Sequence, residues 1–201
     1  MGLARSGGAV VGWQAGSAAE CEAAEAAGCS YVTIQGVEAG GHVCGTQRLD
    51  EALEQTLAAV DVPVVAAGGI GTAERVHELL AAGASAVRFV AAEESDAHPA
   101  YAALLIRASR HDTVLTGAFA NGWPDGPHRV LVSAVMAAER FAGRTVATLG
   151  ERELPAFAPV PATRQAQGEV EAMALYTGES VDAVTATQPA AEIVAELTAA
   201  L

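Results

Sequence analysis

Four short apolar runs punctuate the first half of the chain, and each gives way to a glycine-bearing loop and then to an alanine-rich amphipathic stretch. The runs are Ala9-Val10-Val11-Gly12-Trp13-Gln14, Tyr31-Val32-Thr33-Ile34-Gln35, Val62-Pro63-Val64-Val65-Ala66-Ala67 and Ala86-Val87-Arg88-Phe89-Val90. They are continuous rather than alternating, as in parallel strands covered on both faces. Ser17 followed by Glu20 is a capping-box pattern, opening a helix that closes before Gly28. A second helix begins near Asp50 with Leu53, Leu57 and Val60 on one face. A third begins near Thr72 with Val76, Leu79, Leu80 and Gly83 on one face. Strand–helix alternation at this interval predicts βαβ units around a parallel sheet.

Beyond Ser95 the pattern changes. Ala97-His98-Pro99-Ala100-Tyr101 opens a helix reaching about Arg110, with Pro99 suited to its first turn. Residues 111–116 read as a short strand or extended segment and residues 121–127 as a loop. Helices are expected over residues 129–142 and 163–175, with a proline-bounded linker at 155–161 between them, and a last one from near Pro189. No low-complexity tract interrupts the chain, so residues 1–201 are expected to form a single domain.

Candidate chemistry concentrates after the second run, in Gln35-Gly36-Val37-Glu38-Ala39-Gly40-Gly41-His42. Strands of a parallel barrel deliver functional groups from the loops at their C-terminal ends. Gly40 and Gly41 let backbone approach a ligand closely, and His42 can exchange protons near neutral pH. Gln14 and Gln35, each ending an apolar run, carry amides able to meet a heterocycle's edge. Gly68-Gly69 closes the third run just before a helix, an arrangement that suits an anion. His77 lies between Glu74 and Glu78 on a solvated helix face, His98 starts a helix, and His111 and His128 carry no motif. The neighbours Glu93 and Glu94 do not converge on one ion without further ligands, so no metal site is expected.

Composition narrows the possibilities. A chain with 51% hydrophobic and 17% charged residues is globular. A net charge of −13, from 11 basic against 24 acidic residues, argues against nucleic acid as partner. No apolar stretch reaches the roughly 20 residues of a membrane span. The N-terminus lacks a signal-peptide layout, which makes the cytoplasm the expected location. Cys21, Cys29 and Cys44 have neither disulfide-framework nor zinc spacing. Cys21 and Cys29 read as buried fillers, whereas Cys44 lies two residues from His42.

Taken in order, the Gln35–His42 loop, Val62-Pro63-Val64-x-Ala66-Ala67-Gly68-Gly69-Ile70, Arg88-Phe89-x-Ala91-x-Glu93-Glu94-Ser95 and Ala174-Leu175-Tyr176-x-Gly178 resemble the nitronate monooxygenase family, from about Val10 to Leu201. The resemblance implies an FMN-dependent TIM barrel that oxidises alkyl nitronates with molecular oxygen. It implies His42 as the catalytic residue, acting as a base towards nitroalkanes or holding the nitronate by hydrogen bonding, Gly68 and Gly69 as the phosphate turn, Gln14 and Gln35 at the flavin's pyrimidine edge, and Ser180 near the flavin, although Glu179 stands where the family usually has Gln. This chain resembles only the C-terminal part of the barrel, beginning at about the fifth strand, whereas eight βα units usually need about 250 residues. An incomplete barrel of four parallel βα units plus C-terminal helices is therefore expected, with self-association through its open edges. The family's Gly-Thr pair before Arg88-Phe89 is also missing, a loss of about three residues, an odd number that would turn a strand's side chains to the other face. Two alternatives stand beside this reading: a flavin-dependent enoyl-thioester reductase of the same superfamily, and a non-catalytic fragment.

Overall fold

The computed structural model describes residues 7–79, 87–120 and 126–199. Three of the four apolar runs form a parallel sheet: β1 (Gly12–Ala15), β2 (Tyr31–Gln35) and, after the two-residue β3 (Gly41–His42), β4 (Val64–Ala67). Their order is β1-β2-β4, with Gly12 opposite Tyr31 and Val32 opposite Val64. Val32 and Ile34 in the central strand are fully buried, whereas Tyr31 before them and Thr33 between them are only partly buried, so one face of the strand is packed more tightly than the other.

Two helices pack beside the sheet. In α1 (Ala18–Ala26) the Ser17 side chain accepts from the Glu20 N–H, while the Glu20 carboxylate reaches back to the Gly16 N–H at 2.8 Å. In α2 (Leu49–Ala59) the buried face is Leu49, Ala52 and Thr56, with the Thr56 hydroxyl donating to the Ala52 carbonyl. Leu53 and Val60 pack against the core as expected, but Leu57 is 52% exposed. Thr72 caps α3 (Ala73–Glu78) through the Arg75 N–H; Leu80 and Gly83 lie outside the described residues.

The fourth run departs from expectation, so the described residues hold three parallel strands rather than four. Val87–Val90 is a helical turn, α4, and Ala86 lies outside the described residues. A short apolar run cannot be assigned to strand or helix by periodicity alone. Here tertiary contact decides: Phe89 packs with Ala92 against Ile193 and Leu197 of the C-terminal helix α7 (Ala190–Leu197), and Ala92 bridges Gln188.

The second half contains α5 (Pro99–Arg107), β5 (Thr113–Thr116), β6 (His128–Leu131), α6 (Val132–Arg140), β7 (Thr145–Leu149), β8 (Arg152–Pro155) and β9 (Ala166–Gly168). Two antiparallel sheets result, β3-β6-β5 and β8-β7-β9. The expected helix over 129–142 starts later, because residues 128–131 pair with β5. The expected helix over 163–175 is instead β9 and a 3-10 turn at Val170–Ala172. Gly168 sits at φ +122 against β7, where a Cβ would come 2.5 Å from the Val146 carbonyl oxygen, a geometry incompatible with helix. The C-terminal part is thus a mixed antiparallel and 3-10 assembly closed by α7, rather than a run of helices.

Among the described residues the buried apolar side chains form two large cores and a small cluster of Ala92, Ile193 and Leu197. One surrounds the parallel sheet and includes Val32, Ile34, Leu49 and Ile70. The larger gathers Leu105, Phe119, Leu131, Leu154 and Leu175 from the second half.

Candidate functional site

Because β1, β2 and β4 are parallel, their C-terminal ends lie on one side of the sheet, and the candidate residues follow those ends. Gln35, buried at the end of β2, spends its amide on the loop it precedes: Nε2 donates to the His42 carbonyl at 3.0 Å and Oε1 accepts from the Cys44 N–H at 2.9 Å. The loop is thereby fastened to the strand by a side chain. Glu38, 5% exposed, accepts from the Leu49 N–H at 3.0 Å and pairs with Arg48 at 3.1 Å, while its carbonyl accepts from Glu179. Arg129 reaches the Val37 carbonyl at 2.9 Å, the Thr113 hydroxyl at 3.2 Å and Glu179 at 3.4 Å. Gly40 has no room for a side chain, since a Cβ would come 2.6 Å from the Gly178 nitrogen; Gly41 has room, but its φ of +74 favours glycine.

This clamping extends the loop into β3, which pairs with β6 so that His42 stands opposite His128. The His42 side is exposed and the two rings are 3.8 Å apart, tilted by 52°. His128 is fully buried, and Tyr176 stacks on it at 5.4 Å. Burial pushes the Tyr176 hydroxyl up to about 12, so it remains neutral, and Tyr101 donates to the Tyr176 carbonyl. Nothing in the sequence pattern singled out His128; only the β3–β6 register pairs it with His42.

Two cavities flank the loop. The first, of about 350 Å³, is lined by Gly68, Gly69, Gly71, Thr72 and Ser180, together with Arg48, Arg75 and Arg110. Each arginine already faces carboxylate: Arg48 meets Glu38 and Glu179, Arg75 meets Asp50 and Glu78, and Arg110 meets Asp182. The Arg110 guanidinium holds the Asp182 carboxyl below its ordinary range. The second cavity, of about 500 Å³, is lined by Trp13, Gln14, Glu20, Ala24 and Cys44, with the Gln14 amide 3.7 Å from the Cys44 sulfur. The fold therefore unites Gly68, Gly69 and Ser180, places Gln14 beside Cys44, and leaves Gln35 at the end of β2 and Gly40, Gly41 and His42 beyond it, lining neither cavity.

The glycine wall of the first cavity is closely packed, and four carboxylates, Glu38, Asp50, Glu179 and Asp182, line the cavity with its three arginines. A Cβ on Gly69 would approach the Glu38 side chain to 3.1 Å, and one on Gly71 would meet Ser180 and Ala183 at 2.9 Å. Its arginines are less available, because an anion would have to displace carboxylates from them. Cys21 and Cys29 are buried, Cys44 is exposed, and all three are free thiols. Burial raises the Cys21 thiol. Among the described residues there is no cluster of three or more His, Cys, Asp or Glu placed to hold a metal ion, and no helix long and apolar enough to cross a membrane.

Parallel strands delivering a histidine loop and a glycine turn to one edge, with helices packed beside the sheet, define an α/β chain of the type that builds barrels. The chain belongs to the nitronate monooxygenase family, whose model matches residues 3–200. It is 42% identical over 123 residues to a nitronate monooxygenase of Pseudomonas aeruginosa, covering 53% of this chain and 35% of that protein. It is 34% identical over 110 residues to a probable nitronate monooxygenase of Bacillus subtilis, covering 47% and 31%. Among solved structures, FabK from Thermotoga maritima superposes with a TM-score of 0.74 at 26% identity, over 97% of this chain and 61% of that one. Nitroalkane oxidase from Streptomyces ansochromogenes gives 0.74 at 29% identity, over 97% and 58%. The matched stretch thus spans about a third of the curated relatives, and the fold about three fifths of the solved structures.

Proposed function

We propose that this chain is the histidine-bearing, phosphate-binding portion of a cytoplasmic FMN-dependent oxidoreductase that oxidises alkyl nitronates, and the nitroalkanes they derive from, with molecular oxygen to carbonyl compounds and nitrite. The observation that carries this reading is the meeting of Gly68, Gly69 and Ser180 in one cavity beside the loop that bears His42. Bound FMN would supply the electron-accepting centre and the reaction with oxygen. The chain's own residues do the rest. His42 takes the proton from the carbon next to the nitro group, or donates a hydrogen bond to a nitronate oxygen, and its exposed ring is open to substrate. Gly68, Gly69 and Ser180 hold the phosphate, Gln14 meets the ring edge, and Gln35 keeps the loop in place.

On its own, the 201-residue chain is expected to bind FMN weakly. Its cavity arginines are engaged by carboxylates, and the described parallel sheet has three strands. The resemblance places two phosphate-binding amides in the missing Gly-Thr pair; hydrogen bonds to a charged phosphate contribute about 1.5–3 kcal/mol each, so lacking both lowers affinity roughly a hundredfold or more. Titrating the purified chain with FMN while following flavin fluorescence, and assaying nitrite release from propyl-2-nitronate, tests both statements. Nitrite release with stoichiometric flavin would uphold the reaction and refute weak binding. Flavin-dependent NAD(P)H oxidation without air, with no nitrite, would replace the reaction by enoyl-thioester reduction.

A further inference from the structure

We propose that His128 is a positioning residue for His42: a buried imidazole that backs the His42 ring and confines the pair to one positive charge. The proposal rests on the reading of His42 as a base only for its consequence in turnover; the coupling itself stands on geometry.

The antiparallel register of β3 and β6 sets the two residues directly opposite, with ring centroids 3.8 Å apart. His128 is fully buried, and neither ring nitrogen has a hydrogen-bond partner among the described residues. An imidazolium carries two N–H donors, and here only the Gly126 carbonyl comes near as an acceptor, outside good hydrogen-bond geometry, so burial disfavours the charged ring. Among the described residues, the groups facing it add no compensating negative charge. From β3 comes His42 itself; from the 174–177 segment, the Tyr176 ring, whose hydroxyl is neutral; from β5, Thr116, its register partner. The neighbouring Arg129 directs its guanidinium to Val37, Thr113 and Glu179. Burial first, and the facing His42 second, hold the His128 pKa below the ordinary imidazole value, while the Gly126 carbonyl pulls the other way. A proton arriving on His42 therefore meets an uncharged neighbour. Abstraction of a substrate proton is not opposed by the closest ring.

Ring NMR of the full chain with labelled histidine, titrated from about pH 4.5 to 8.5, tests this without flavin or turnover. In the wild-type chain the His42–His128 pair should take up protons in two separated steps, and in His128→Phe in one. In His42→Asn the His128 step should move to higher pH by about one unit, the size expected of strongly coupled groups. Because His42 is exposed, that variant decides the matter even if His128→Phe fails to fold. A His128 step at the same pH in His42→Asn and in wild type would overturn the proposal, as would both rings protonating together. Failure of the nitronate reading would appear separately, as absence of nitrite, with these titrations unaffected.

Discussion

His42 combines a ring that solvent reaches with a backbone tied down by Gln35, so its chemistry and its placement can be separated by mutation. In an assembly that turns over nitroalkanes, His42→Asn should lower the rate by roughly 10²–10⁴, the usual contribution of a general base, with little change in FMN affinity. Stopped-flow reduction against flavin titration checks the split. Glu38 belongs to the same motif but serves a structural purpose: its buried carboxylate caps α2 and meets Arg48. Glu38→Ala should destabilise the chain by about 1–3 kcal/mol, read from urea midpoints, by leaving the Leu49 N–H and Arg48 without it. His128 supplies a pH dependence. Its folded pKa is lowered from 6.5, so as pH falls the unfolded chain takes the proton first. Stability from this source is present above about pH 6.5 and is lost as pH falls towards the lowered folded value. Urea midpoints at about pH 7.5 and 5.5 should therefore differ less in His128→Phe than in the wild-type chain.

Strands and helices make a similar point about what local sequence can specify. β2 and β4 were legible because their apolar runs are bounded by glycine-bearing turns and pair in parallel, and α1 and α3 because Ser17 and Thr72 cap them through their own side chains. Residues 87–90 were not, because their helical turn depends on Phe89 meeting Ile193 and Leu197, some hundred positions away. The strand at 166–168 was hidden for the same reason, since only pairing with β7 and the left-handed Gly168 distinguish it from a helical stretch. Of the candidate site, the glycine turn and the histidine loop were readable as motifs. The arginine–carboxylate pairs and His128 emerge only from elements brought together by the fold. One junction offers a clean test: a Cβ on Gly16, just past β1, would come 2.4 Å from the backbone of Cys44 and Gly45. Gly16→Ala should push the His42–Cys44 loop off the strand end and destabilise the chain by about 1–3 kcal/mol in urea unfolding, since backbone cannot step aside as a side chain can.

Among the described residues β1 and β4 each pair only with β2, at the two ends of the parallel sheet. Trp13 on β1 is 52% exposed and Val10 before it 76%. Unpaired strand edges beside apolar side chains template association. The purified chain should show a mass that rises with concentration in light scattering, and Trp13→Lys should lower it; a monodisperse wild-type monomer would contradict this.

The division into two large cores has a consequence for how the molecule comes apart. The parallel sheet draws on residues before position 80 and the larger core on residues after position 90. The links across include the β3–β6 pair, the Arg129 contacts and the Glu38–Glu179 bond. The two parts are thus candidates for separate cooperative units. In native-state hydrogen exchange the amides of Val32, Ile34 and Ala66 should open together at a lower free energy than those of Leu131 and Leu175. The seam along which they part runs through His42, so the first partial unfolding event would dismantle the candidate site while most of the second half still held its shape.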